Sequence, residues 1–261
     1  MFAGATELSR GDDHLKSLRM AELEAVRHFF FKGARVLEIG GGNGWQAKLL
    51  ANWDCEVTSV DVDPVGSWGN TYFPVLKYDG RRLPFRDGSF DIVFSSNVLE
   101  HVARIDELLV EMRRVLKKQG TAVHLMPTPS WRLWTSLTHY AHLARRAISS
   151  AARGSRTSQP ALPTAEAPKP TQPPWMRIRK LALAEAHGTA TSPWREVVDF
   201  SRKRWVRQLK SAGYEVTEVF SAGVFYSGYA ILPSIRISTR RMLARIIGSS
   251  CNVFVLKPVS S

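Results

Sequence analysis

The sequence predicts an α/β fold with a doubly wound, seven-stranded sheet, mostly parallel with an antiparallel last strand, and with basic helical inserts. Three observations lead there. Arg35–Ile39 reads as a buried strand that runs straight into four glycines among residues 40–44. Apolar runs of strand length alternate with helix-period segments as far as about residue 128. Beyond it the charge changes: residues 1–128 carry 16 Lys and Arg against 17 Asp and Glu, whereas residues 129–261 carry 20 against 6. The net charge of +13 therefore belongs to the second half, and an anionic partner would meet the chain there.

The elements follow in order. Leu15, Leu18, Met20, Leu23, Val26, Phe29 and Phe30 give an amphipathic helix over 14–30 that flanks or lids the site. Val36, Leu37 and Ile39 suit a parallel strand covered on both faces, and the glycines after it let a backbone turn approach a ligand closely. A short helix from Trp45 would offer its first N–H groups beside that ligand. Cys55–Val60 forms a second strand ending at Asp61, at the βαβ distance, where a carboxylate would face a ribose diol.

Phe73–Tyr78 leads to Asp79, and Phe90–Asn97 is the fourth strand. Val98–Val102 continues into a helical stretch, then Ile105, Leu108, Leu109, Met112, Val115 and Leu116 define a helix that Gly120 terminates. Thr121–Met126 is the fifth strand, Tyr214–Phe220 the sixth and Asn252–Leu256 the seventh. Four regions result: a flanking helix over 1–33, a ligand-binding core over 34–128, a basic Trp-containing insert over 129–195 and a closing part over 196–261. Residues 154–174 read as a flexible Pro-rich linker, and about 222–249 as a second helical insert. Within the first insert Trp131, Trp134, Leu137, Ala141, Ala144 and Ile148 recur at helical spacing, an aromatic face ending in arginines.

Cys55 and Cys251 lack metal or redox spacing, so buried free thiols, a reducing cytoplasmic setting and no metal site are expected. No stretch reads as a secretory signal or a membrane span.

Gly42-Asn43-Gly44-Trp45-Gln46-Ala47 also satisfies the dinucleotide pattern G-x-G-x-x-A. Glu38 argues against a pyrophosphate at the turn, because a carboxylate there repels phosphate and favours a cationic ligand. With Glu38-x-Gly40-x-Gly42-x-Gly44, Asp61, Asp79-Gly80, Leu83-Pro84-Phe85 and Ser89–Val93 in order, the sequence resembles the class I S-adenosylmethionine-dependent methyltransferases, of the methyltransferase 11 type, over about residues 34–128. The resemblance implies a Rossmann-like fold and S-adenosyl-L-methionine as methyl donor. It implies cofactor contacts at Glu38, Gly40, Gly42, Gly44, Asp61, Asp79, Gly80, Ser96 and Asn97, with Asp61 on the ribose hydroxyls and Asp79 toward the adenine amino group.

For a hydroxyl acceptor a general base is needed, and His101 and His187 are the candidates. Basic, tryptophan-containing inserts suit an anionic bilayer surface, so the expected acceptor is membrane-associated, lipid-linked or a glycan, and the expected location the inner face of a membrane. A soluble small-molecule acceptor, an RNA-binding methyltransferase and a cofactor-binding module without catalysis are the alternatives.

Overall fold

The structure, a computed structural model, describes residues 3–64, 71–154, 187–189, 192–229 and 234–259. The strands are β1 (Arg35–Ile39), β2 (Glu56–Asp61), β3 (Val75–Lys77), β4 (Phe90–Ser96), β5 (Leu116–Pro127), β6 (Tyr214–Ser221) and β7 (Cys251–Pro258). They form one sheet in the order β3-β2-β1-β4-β5-β7-β6. β1 to β5 pair in parallel, and β7 runs antiparallel to both β5 and β6, as the sequence predicts.

The helices are α1 (Ala3–Ala25), α2 (Trp45–Ala51), α3 (Ile105–Val115), α4 (Pro129–Gly154), α5 (Pro193–Asp199), α6 (Arg202–Ser211) and α7 (Ile237–Ile247). Alternation along β1 splits the core: Val36 joins Phe30, Phe94, Val123 and Val253 on one face, while Leu37 and Ile39 join Val93, Met112, Leu209 and Leu256 on the other. Both faces are buried, which accounts for the unbroken apolar runs of the strands.

Four expectations are corrected. The first helix spans Ala3–Ala25, and Arg27–Phe29 is a separate 3-10 turn, so Phe29 and Phe30 are not part of it. Val98–Val102 holds only the 3-10 turn Leu99–His101. Gly120 does not end α3: Leu116 turns extended and pairs with Phe90, so β5 starts five residues earlier than the apolar run suggests. Leu116 fits the helical period but is needed in the core as a strand residue. Gly120 then lies at a register shift where an added Cβ would come within 2.9 Å of the Asp91 carbonyl oxygen, so it is required for close packing rather than for a helix stop.

The aromatic face of α4 is the fourth. Trp131 is buried, and Trp134 turns its indole N–H to the Ile247 carbonyl at 3.1 Å. Leu133, Leu137, Tyr140, Ala144 and Ile148 form the outward stripe instead. The Pro-rich linker lies outside the described residues apart from Gly154, the last residue of α4. Both cysteines are buried free thiols.

Candidate active site

Strand order reverses between β1 and β4, and at such a switch point the carboxyl ends of parallel strands open a crevice. A cavity of about 490 Å³ lies there. Its wall includes Gly40, Gly41, Gly42, Asn43, Asp61, Val62, Asn97, Val98 and His101. The turn is pinned to β2, because the N–H groups of Gly40 and Gly41 both donate to the Val60 carbonyl, at 2.8 and 3.1 Å.

Glycine is required here for two reasons. Gly40 has φ +78°, and a Cβ on it would stand 2.3 Å from Val98 Cγ2. At Gly41 a Cβ would stand 1.9 Å from Ser59 Oγ and 2.9 Å from Glu38 Oε2. Gly44, also at positive φ, packs on the backbone of Phe73 outside the cavity wall.

Glu38 does not face the cavity, so the expectation that its charge would repel a phosphate and favour a cationic ligand is corrected. Glu38 is 2% exposed, lies beneath the turn and accepts a hydrogen bond from Ser59 Oγ at 2.5 Å. Burial pushes its carboxyl up to about 7, with the Asp61 charge adding to the effect and the Ser59 hydrogen bond opposing it. Asp61 does face the cavity, with Oδ2 accepting from the Gly42 N–H at 2.8 Å and Oδ1 from the Asp63 N–H at 2.9 Å. Each carboxylate oxygen keeps a lone pair for a hydroxyl.

Asp79 is exposed and caps its own turn, accepting from the N–H groups of Arg81 and Arg82, which hold its carboxyl below the usual range. Neither Asp79 nor Gly80 reaches the cavity wall; Tyr78 beside them does. Ser96 stands behind the wall, its Oγ accepting from Asn97 Nδ2 at 3.2 Å. Asn97 has φ +55°, a left-handed conformation that asparagine tolerates better than most side chains, and its Oδ1 accepts from the Cys251 thiol at 3.3 Å.

The two histidines, far apart in sequence, meet: the ring centroids of His101 and His187 are 4.6 Å apart. Burial lowers the pKa of His101. Burial, then the charges of His101, Arg19 and Arg132, takes His187 down to about 4, so both imidazoles are neutral near pH 7. His187 is held by backbone bonds, with its N–H and that of Gly188 donating to Glu196 Oε1 at 2.5 and 2.6 Å.

The expected flanking helix does reach the site, and with the loops around β3 it brings polar wall residues that the motifs do not include. Leu15, Lys16 and Arg19 reach the cavity from α1, and Tyr72 and Tyr78 from the loops around β3. Lys16 donates to Tyr72 Oη at 2.8 Å, and Arg19 to Glu22 and Tyr226 at 2.8 and 2.9 Å. The three-residue step from Lys16 to Arg19 on an otherwise apolar helix face was the available signal.

A backbone cradle that a Cβ would block, with a carboxylate facing the adjoining cavity, fits a nucleoside-bearing ligand. Comparison with known proteins agrees. Residues 37–124 match the methyltransferase domain family. An uncharacterized methyltransferase of Mycobacterium sp. (strain KMS) is 36% identical over 127 residues, 44% of this chain and 48% of the relative. The biotin biosynthesis bifunctional protein BioHC of Cellvibrio japonicus is 31% identical over 125 residues, 42% of this chain and 24% of that protein. The chain thus spans about half the length, or less, of these curated relatives. In fold it is similar to an S-adenosylmethionine-dependent methyltransferase from Mesorhizobium loti, with a TM-score of 0.50 at 15% identity over 91% of this chain and 97% of that one. Residues 37–124 thus carry a methyltransferase domain, of the class I type that takes S-adenosyl-L-methionine as its donor.

Proposed function

We propose that the chain transfers the methyl group of S-adenosylmethionine to a hydroxyl, or another nucleophile, of an acceptor that is membrane-associated or linked to lipid or glycan. The observation that carries the transfer is the shared wall of one cavity: the glycine turn and Asp61 at one part of it, Asn97 and His101 at another. When bound, the donor supplies an activated methyl group on a sulfonium. Asp61 accepts hydrogen bonds from the ribose, and the backbone of residues 40–42 lets the donor lie against it. His101, neutral near pH 7 and on the cavity wall, takes the acceptor's proton, with His187 packed against its ring. Alignment of acceptor and methyl group provides most of the rate.

The choice of acceptor rests on the outer surface. The α4 stripe is exposed and apolar, and Ile148 at its end is 71% exposed. α7 is docked to α4 through Trp134 and adds exposed Met242 and Ile246 beside exposed Arg241 and Arg245. Apolar side chains rimmed by arginines suit shallow insertion among anionic headgroups. No described helix is long and apolar enough to cross a membrane, so contact would be peripheral. A soluble acceptor is the second reading, favoured by the inward packing of Trp131 and Trp134, which removes them from any lipid.

The test is calorimetric binding of S-adenosylmethionine and of NAD to the chain and to Asp61→Ala, followed by incubation with methyl-labelled donor and a total lipid extract. Donor binding that weakens at least tenfold in the variant, no comparable NAD binding, and label in the organic phase are expected. Equal NAD binding would sink the donor assignment, and label confined to water-soluble products the membrane-linked acceptor.

A further inference from the structure

The 3-10 turn after β4 sets Glu100 and His101 side by side, and residues 187–189 cross directly over them. The Thr189 N–H donates to the Glu100 carbonyl at 3.1 Å, while Glu196 holds the two residues before it. The His187 ring then sits between Trp131, 4.7 Å away by ring centroids, and His101. One donor atom from each of Glu100, His101 and His187 lies within 4.8 Å of the others, and Glu100 Oε1 is 3.8 Å from His101 Nε2.

The Glu100 carboxylate is the second, independent observation. Its side chain is fully buried, and neither oxygen has a hydrogen-bond partner among the described residues. A buried carboxylate without hydrogen bonds is expensive, and structures normally satisfy such groups with a partner or an ion. The nearby cation Arg19 is engaged with Glu22 and Tyr226.

We infer that Glu100, His101 and His187 bind a divalent first-row transition ion, with Zn²⁺ the best match, at the edge of the donor cavity. Two neutral imidazoles and one carboxylate form a borderline-soft set that favours such ions over Mg²⁺ or Ca²⁺. Donors on a tetrahedral ion at about 2.0–2.1 Å stand about 3.4 Å apart, so the three atoms must draw together. The two exposed imidazoles can swing inward while buried Glu100 stays fixed. Glu196 and Trp131, which hold the backbone and ring of His187, would orient that ligand. Spacing along the chain does not announce the cluster, because His187 is remote in sequence from Glu100 and His101. Three protein ligands leave a position open on the cavity side, where His101 is part of the wall. An acceptor hydroxyl bound there would lose its proton more readily, to water, so with the ion in place the metal would replace His101 as the activating group and His101 would serve only as a ligand. That role rests on the methyl-transfer reading; the ion binding does not.

The experiment is titration of the full, chelator-treated chain with Co²⁺, followed by its visible absorption, with Zn²⁺ as competitor. One ion per chain, bands of a four- or five-coordinate site, and displacement by Zn²⁺ are expected. His187→Ala, His101→Ala and Glu100→Gln should each weaken binding at least tenfold. Because its imidazole is exposed and lies outside the donor-cavity wall, His187→Ala should keep its circular dichroism and S-adenosylmethionine affinity, even if Glu100→Gln fails to fold. No saturable Co²⁺ binding, or bands unchanged in both histidine variants, would overturn the metal site. Failure of donor binding in the unaltered chain would instead overturn the methyltransferase reading.

Discussion

Ser59 Oγ donates to Glu38 Oε2 at 2.5 Å directly beneath the glycine turn, so β2 supports the turn through the side chain that precedes it on β1. Glu38 thereby acts on the cavity through the backbone above it. A carboxylate in this position is a burden on the fold whenever it is ionised.

That burden predicts a pH dependence. Burial holds the folded-state Glu38 carboxyl at about 7 against an ordinary value of 4.5. Between those values the folded state keeps a proton the unfolded chain has released, so stability falls as pH rises through the window. The loss, up to about 3 kcal/mol, is complete above pH 7. Glu38→Gln keeps an acceptor for Ser59 and removes this slope. Urea unfolding at pH 5 and pH 8 should show the variant close to the parent at the lower pH and more stable at the higher. Parallel curves for the two proteins would contradict the assignment.

Gly41→Ala places a Cβ 1.9 Å from Ser59 Oγ, so Ser59 must rotate and abandon Glu38, or the turn must lift. A stability loss of about 1–3 kcal/mol and at least tenfold weaker donor binding are expected. Ser59→Ala removes the clashing oxygen, so the double variant should recover part of the loss. A strictly additive double-mutant cycle would show that the two positions do not collide.

Arg132 and Glu196 form a buried pair, Nε to Oε2 3.2 Å, with side chains 1% and 0% exposed. Removing Glu196 takes the carboxylate from Arg132 and the acceptor from the His187 and Gly188 N–H groups. Glu196→Ala should cost about 3–5 kcal/mol in chemical denaturation. Combining it with Arg132→Met should cost less than the single change, since no buried cation is then left behind. A single-variant loss below about 1 kcal/mol would show that the pair contributes little.

The outward stripe of α4 predicts lipid contact. Leu137→Glu with Ile148→Glu puts two carboxylates on exposed positions without touching the core. In flotation with anionic vesicles at low salt the unaltered chain should rise with the lipid and the double variant should stay below. If both stay below, the peripheral-membrane reading fails. If both float equally, the stripe is not the contact.

Much of this molecule was legible because local chemistry and tertiary role agree. The apolar run Val36–Ile39, the glycines and Asp61 each have a local reason to be strand, turn and strand end, and the sheet order follows from those signals. The misreadings fall where they part. Leu116 satisfies the helical period of α3 yet is taken by β5, and Trp131 and Trp134 satisfy an amphipathic helix whose inward face could not be known before its neighbours were placed. Asp79, matched by motif, is turned to its own backbone, while Lys16 and Arg19 reach the cavity from a helix that the motif does not include. The sequence by itself determined the α/β fold and the glycine turn, because backbone freedom and alternation are properties of neighbouring residues, while the donor class followed from the resemblance that the ordered motifs carry. Only the tertiary structure decided that Glu38 lies under the turn and that His187 meets His101 and Glu100. Burial and the meeting of distant segments depend on how the whole chain packs.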